Sequence, residues 1–247
     1  MSLTYSDYLC LPDLLSLQQP KSDPEEHDEM LFIVIHQVHE LWFKLMLHEL
    51  EKIRQNFFDA DLYGALATFK RARMILKTVV VQVDILETLT PVSFSSFRSR
   101  LETSSGFQSV QFREIEFLLG YRRPDLLKYH PEASEGHRQL QARLEEPSVS
   151  DAFQSFLAQR GANLSSEEAF HESLLKLYRQ QKDLQLLLEL MTDFDEGFQE
   201  WRYRHVKLVE RTIGSKQGTG GSLGVEFLKQ SLFLPLFPDL WAIRHRM

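Results

Sequence analysis

Leu184, Leu187, Met191, Phe194, Phe198, Trp201, His205, Leu208 and Thr212 advance through the chain in alternating steps of three and four residues. That spacing is the seam of a helix buried along one face, and no strand can use it. The polar residues of the same stretch, among them Asp193, Asp195, Glu200, Arg202, Lys207 and Glu210, fall between the seam positions and read as its solvated side. One seam residue does not belong in an apolar interior. His205 follows Trp201 by one turn and precedes Leu208 and Val209. A buried imidazole without a partner costs roughly 1–3 kcal/mol, so it needs one. A backbone carbonyl or a carboxylate would satisfy it. So would a metal, which in an apolar helical pocket is most often haem iron.

The same periodicity runs through most of the chain. Asp23-Pro24 is expected to open a long helix to about Gln55. On it Leu31, Ile35, Val38, Trp42 and Leu45 form one apolar stripe. Phe32, His36, His39, Phe43, Met46 and Leu50 form a second. Two stripes predict a helix sandwiched by neighbours, with Gln37, Glu40, Lys44, His48 and Glu51 on its polar face. Further helices are predicted from about Asp61 to Leu89, Pro91 to Leu101, Phe107 to Leu119 and from Ser165 or Ser166 onward. Short helices fill Pro124 to Arg160, Val225–Leu232 and Pro238–Arg244. Residues 218–224 contain four glycines in seven and read as a mobile loop. No pair of alternating strands is evident, so the expected fold is all-α, a bundle with long core helices.

Length and composition bound the rest. The chain has 247 residues, enough for one large core, and residues 23–247 read as a single helical domain behind an N-terminal arm, residues 1–22. The net charge is −7, and no basic tract provides a nucleic-acid footprint. Cys10 is the only cysteine, which excludes an intrachain disulfide and fits a reducing cytoplasm. No basic-then-apolar leader is seen at the N-terminus, and no run approaches the ~18 apolar residues of a membrane span.

Three further features break the helical pattern. His36 shares a stripe with Phe32, which suits an aromatic heterocycle bearing an N–H as well as it suits a satisfied core histidine. Arg98 shares a face with Phe94 and Leu101, beside Phe97, and so requires a carboxylate from the protein or a ligand. The glycine loop allows close backbone approach, and Thr219 within it offers a hydroxyl to a polar head group. It lacks the Lys-Ser/Thr of a phosphate-binding loop, and no strand precedes it. Other chemistries find little support. A di-iron bundle needs two Glu-x-x-His motifs, and only Glu168-x-x-His171 occurs, near a helix start and on the expected exposed side. His36-x-x-His39 is not the zinc-protease spacing, and no Gly-x-Ser-x-Gly elbow exists.

Taken together these segments resemble the tryptophan 2,3-dioxygenase family. The resemblance is carried by Asp28 to Lys44 (DEMLFIVIHQVHELWFK), Phe97-Arg98, Ser104 to Ser109 (SSGFQS), Glu200 to His205 (EWRYRH) and Gly218 to Gly221 (GTGG). It begins at Leu3 to Tyr8 and ends in the C-terminal Asp239 to Met247, so it covers nearly the whole chain. It implies a homotetrameric, all-helical enzyme with haem b, ferrous in its active state. Such an enzyme inserts both atoms of O2 across the indole C2–C3 bond of L-tryptophan and yields N-formyl-L-kynurenine, the first step of tryptophan catabolism by the kynurenine route. By resemblance His205 is the proximal haem ligand, and Ser105 and Gly106 lie over the haem edge. His36 is the catalytic distal histidine that hydrogen-bonds the indole N–H. Phe32 and Phe94 wall the indole, Arg98 pairs with the substrate carboxylate and Thr219 engages the head group. Tyr5 and Tyr8 cap the pocket of an adjacent subunit, so that the arm is exchanged between subunits.

Departures from the family pattern are few. Gln217 stands where a basic residue is common, Ser215 where an aromatic is common, Phe94 where some members carry Tyr, and His39 is unusual at its position. Two rival functions share the haem. One is a sensor or carrier that binds O2 or an indole without turnover, for which the Arg98–Thr219 clamp has no use. The other is a related haem enzyme acting on a modified aromatic amino acid.

Overall fold

A computed structural model describes residues 2–216, 218–219 and 224–247. Among them the ordered elements are helices and 3-10 turns, without a strand. Two short helices, α1 (Tyr5–Leu9) and α2 (Leu11–Leu14), occupy the arm. Then follow α3 (His27–Phe58), α4 (Leu62–Leu86), α5 (Pro91–Phe97), α6 (Val110–Leu119), α7 (Glu135–Glu145), α8 (Val149–Gln159), α9 (Glu167–Gln180), α10 (Lys182–Ile213), α11 (Val225–Lys229) and α12 (Pro238–Ala242). The framework is α3, α4 and α10, with α4 packed against both of the others and α6 and α8 closing on α3.

The seam of α10 is buried as its spacing requires. Leu184, Leu187, Met191 and Phe194 have no exposed surface, and Phe198 and Trp201 very little. They meet Leu50, Ile53 and Phe57 of α3 and Phe69, Ala72, Leu76 and Val79 of α4 in one continuous core. Helix ends follow local chemistry. Asp61 caps α4 by accepting from Gly64 N (2.9 Å), and Ser166 caps α9 through Ala169 N (3.2 Å). Gly120 ends α6 in the left-handed region at φ 110°, which glycine adopts without a Cβ penalty.

Several expectations need correction. α3 starts at His27, later than Asp23-Pro24 suggested. The Ser22 hydroxyl accepts from Glu26 N (2.8 Å), while Lys21 N (2.8 Å), Ser22 N (2.9 Å) and the Ser22 hydroxyl all donate to the Glu29 carboxylate. That knot holds residues 21–26 as a polar loop outside the helix. α3 is sandwiched only toward its C-terminal end. Before that end Val34, Leu41 and Leu45 are exposed. By length and mean hydropathy (1.3) α3 could cross a membrane, because an average over a window tolerates interspersed polar residues that a search for an unbroken apolar run does not. Its polar residues have partners inside the protein: Gln37 bonds Gln18 (2.6 Å) and the Leu17 carbonyl (3.1 Å), and Gln111 bonds Glu40 (2.8 Å).

Asp195 and Arg202, assigned by spacing to the solvated side of α10, are buried. The C-terminal segment wraps that side and supplies their partners. Asp195 accepts from Leu236 N (3.0 Å), Phe237 N (2.9 Å) and Trp241 Nε1 (3.0 Å). Arg202 donates to the Ser231 (3.2 Å) and Leu234 (2.7 Å) carbonyls. His171 is likewise buried, bonded through Nε2 to Asp239 (2.8 Å).

Candidate active site

α3, α5, α6 and α10 converge on a cavity of about 290 Å³. Eight of the residues singled out by sequence line it: Phe32, His36, Phe94, Arg98, Ser105, Gly106, His205 and Thr219. They come from five separate segments, and only the fold brings them together. Tyr5 and Tyr8 are not in this wall; both are about three-quarters exposed (76% and 72%) on the arm of the same chain. Gln217 and residues 220–223 of the glycine loop lie outside the described residues, and Ser215 is exposed at the end of α10.

His36 stands in an aromatic box. Its ring centroid lies 4.0 Å from that of Phe32, which in turn lies 5.7 Å from Phe94 and 5.6 Å from Phe97. Its Nδ1 is 2.7 Å from the Phe32 carbonyl. A carbonyl only accepts, so Nδ1 carries the proton. Burial pushes the imidazole below its ordinary range, and the neighbouring His39 adds to this against the Phe32 bond and Glu40. A neutral ring with its proton on Nδ1 leaves the Nε2 lone pair free to accept. His39, one turn on, is held the same way by the Ile35 carbonyl (2.8 Å) and is lowered by burial as well. Neither ring is a donor at Nε2.

His205 has a different surrounding. Trp201 stacks on it with centroids 5.1 Å apart and planes 12° from parallel, and Phe112 braces Trp201 at 4.7 Å. No hydrogen bond to His205 is found among the described residues. The carbonyl or carboxylate that would make it an ordinary core histidine is therefore absent from that set. Burial, helped by His36, His39 and Arg113, lowers the imidazole to about 4, so it is neutral near pH 7 with a lone pair to give. A metal ligand needs that state. A neutral, stacked imidazole with no hydrogen bond among the described residues, in an aromatic-walled cavity, fits a ligand to haem iron, and His205 would hold it.

The two loops at the mouth are tied together. The Thr219 hydroxyl donates to the Ser104 carbonyl, which pins Thr219 to the segment bearing Ser105 and Gly106. Ser105 itself caps the 3-10 turn Gly106–Gln108 through Phe107 N (3.3 Å). Having spent its proton on Ser104, the Thr219 oxygen can still accept.

A charged floor was not read from sequence. Arg113 and Glu116 of α6 and Arg202 of α10 all line the cavity and are buried. Glu116 accepts from Arg113 on one oxygen and from Arg202 (3.1 Å) on the other. The spacing of 113 and 116 reads as an ordinary surface pair on a helix; only the approach of α10 buries it.

Fold and cavity together define a class: an all-helical protein enclosing an aromatic-walled cavity, with a hydrogen-bond acceptor in one wall and an imidazole able to ligate a metal in another. The tryptophan 2,3-dioxygenase family model matches residues 1–172 and 131–247. A tryptophan 2,3-dioxygenase of Herpetosiphon aurantiacus is 50% identical over 98% of this chain and 98% of its own. One from an Anaeromyxobacter species is 49% identical over 98% and 96%, and one from Shewanella woodyi 40% over 98% and 90%. The chain belongs to the tryptophan 2,3-dioxygenase family.

Proposed function

We propose that this chain is a haem-dependent dioxygenase that cleaves the indole C2–C3 bond of L-tryptophan with O2 to give N-formyl-L-kynurenine. The observation that carries the reading, beside family membership, is the state of two histidines on one cavity: His36 offers a fixed Nε2 acceptor among aromatic rings, and His205 offers a neutral imidazole with no hydrogen bond among the described residues. Haem on His205 supplies the oxygen chemistry when bound.

The chain's own residues bind, orient and keep dry. His36 Nε2 accepts the indole N–H, and Phe32 and Phe94 fix the plane of the ring. Arg98 takes the substrate carboxylate. The Thr219 oxygen accepts from the ammonium group, and its bond to Ser104 holds the mouth closed over Ser105 and Gly106, which excludes water. His36 orients the indole and takes no proton from it, because its lone pair is needed as an acceptor and addition to the indole does not require prior loss of the N–H proton. Positioning of this kind is worth several kcal/mol of barrier.

The exposed aromatic arm and the exposed Val34, Leu41 and Leu45 of α3 support a homotetramer in which Tyr5 and Tyr8 reach the pocket of a neighbouring subunit. The exposed Cys10 thiol, the only cysteine, is compatible with a reducing cytoplasm.

The test is an optical spectrum of the haem-reconstituted, reduced protein in air-saturated buffer, with and without L-tryptophan. A Soret band and tryptophan-dependent growth of the N-formylkynurenine band are expected. A Soret band without product would favour a sensor or an altered substrate. No haem uptake would make His205 a core histidine.

A further inference from the structure

One wholly buried carboxylate takes no part in the chemistry above. Asp195 of α10 does not line the cavity, and it precedes His205 by roughly 15 Å along the helix axis. Its two oxygens accept from four donors: Leu236 N (3.0 Å) and Gln199 Nε2 (3.1 Å) on one, Phe237 N (2.9 Å) and Trp241 Nε1 (3.0 Å) on the other. All four donors are neutral, and an ionised carboxylate, which only accepts, has about four lone-pair sites to meet them. Pro235 and Pro238 carry no N–H. The run 235–238 therefore has two amide protons to give, and both go to Asp195.

Those contacts anchor a strap, residues 225–243, whose other end is a wall of the cavity. Phe227, Leu228 and Ser231 line it. Phe227 packs edge-on against Phe107, with centroids 4.9 Å apart. Phe107 lies in the turn that Ser105 caps, close to Ser104, to which Thr219 is bonded. Between wall and anchor the strap is tied to α10 through the Ser231 and Leu234 carbonyls on Arg202, and Phe233 is 85% exposed. Leu236, Phe237, Leu240 and Ile243 join the core and give the strap adhesion. Apolar contact is non-directional. Hydrogen bonds to a fixed carboxylate are directional, and they set the register in which the strap seats.

We propose that Asp195 is a positioning residue for substrate binding: by holding residues 236, 237 and 241 it seats the C-terminal strap, so that Phe227, Leu228 and Ser231 stand as the wall beside the cavity mouth. It touches neither substrate nor cofactor and acts through that wall. The consequence for L-tryptophan rests on the dioxygenase reading above; the seating of the strap does not.

Amide hydrogen exchange and steady-state kinetics with L-tryptophan are measured on haem-loaded wild type, Asp195→Asn, Trp241→Phe and Ser148→Ala. Asp195→Asn keeps the shape but turns an amide NH2 toward one pair of donors. Its exchange over residues 225–243 is expected to quicken roughly 30-fold, the effect of leaving buried donors unpaired, while α3 and α4 stay as protected as in wild type. KM is expected to rise roughly tenfold with kcat within about twofold of wild type, a loss of binding without a loss of chemistry. Trp241→Phe keeps the ring and removes one donor; it is expected to move both readouts the same way by less, and it decides the matter if Asp195→Asn does not fold. Ser148→Ala removes the cap of α8, where Ser148 accepts from Asp151 N (3.1 Å), and leaves the strap untouched. It lowers stability in general and should change neither KM nor exchange of the strap. Unchanged strap exchange in both Asp195→Asn and Trp241→Phe would overturn the proposal, since apolar contact alone would then seat the strap. Faster exchange with unchanged KM would also overturn it, because the wall would not shape substrate binding. A rise of KM in Ser148→Ala equal to that in Asp195→Asn would reduce the effect to stability. No turnover by wild type would sink the dioxygenase reading and the substrate consequence with it, and the exchange result would still decide the anchoring.

Discussion

Glu116 is the single anion between two buried guanidiniums, and its removal should be far more damaging than the removal of either contact alone. Each of its oxygens serves one arginine, with Arg202 at 3.1 Å. At an effective dielectric of 20, one such contact at 4 Å amounts to about 4 kcal/mol of attraction before desolvation is counted. Glu116→Gln keeps the shape, abolishes both attractions and leaves two cations facing each other. Breaking a buried pair by removing one partner costs about 3–5 kcal/mol. Arg113→Gln does the reverse: it removes surplus positive charge and leaves a balanced Glu116–Arg202 pair. The measurement is thermal unfolding of both variants and wild type under identical conditions. For a chain of this length each kcal/mol corresponds to roughly 2–4 °C in Tm, so Glu116→Gln should melt at least about 6 °C lower, and Arg113→Gln much closer to wild type. A Glu116→Gln midpoint no lower than that of Arg113→Gln would refute the charge accounting.

Other outcomes follow from the same geometry. Arg98→Ala should raise KM for L-tryptophan by roughly 30-fold or more, the loss of a desolvated charge pair, and an unchanged KM in steady-state kinetics would remove Arg98 from the clamp. On the proposed orienting role, His36→Ala should retain partial turnover; complete loss, rescued by 1-methyltryptophan, would count against that role. Burial holds His36 below the ordinary imidazole value, so its acceptor form predominates at about pH 6.5. KM should therefore rise with a midpoint below about 6.5 as pH falls; a rise centred on or above about 6.5 would show an ordinary, solvated imidazole. Gly120→Ala combines φ 110° with a Cβ only 2.8 Å from Ser150 Oγ, so urea unfolding should report a loss of about 1–3 kcal/mol, and an unchanged midpoint would mean that the α6 terminus yields easily.

Much of the frame was legible in the chain because helical burial is periodic. The alternation along α10 predicted residues that are buried, and the glycines at 120 and 214 marked helix ends where they occur. His205 was legible as an anomaly for the same reason: a polar residue on an apolar seam needs an explanation wherever the seam leads. Where periodicity was applied to polar residues it misled. Asp195, Arg202 and His171 were assigned to solvent, and all three are buried. A helical wheel shows which face a residue occupies, but not how many neighbours that helix has. The C-terminal segment covers the back of α10, and nothing in α10 itself announces it.

The tautomer of His36 is another matter the spacing could not decide. His36 and Phe32 are one turn apart in any helix, but whether the ring turns back to the Phe32 carbonyl or out to water depends on the walls around it. What the sequence determined by itself was the set of helices, their apolar faces and the polar residues stranded on them, because these follow from local spacing and side-chain chemistry. Tertiary structure alone decided which of those stranded groups found a partner in the protein and which were left facing a cavity, since charge pairing and desolvation depend on segments as distant in sequence as Glu116 and Arg202.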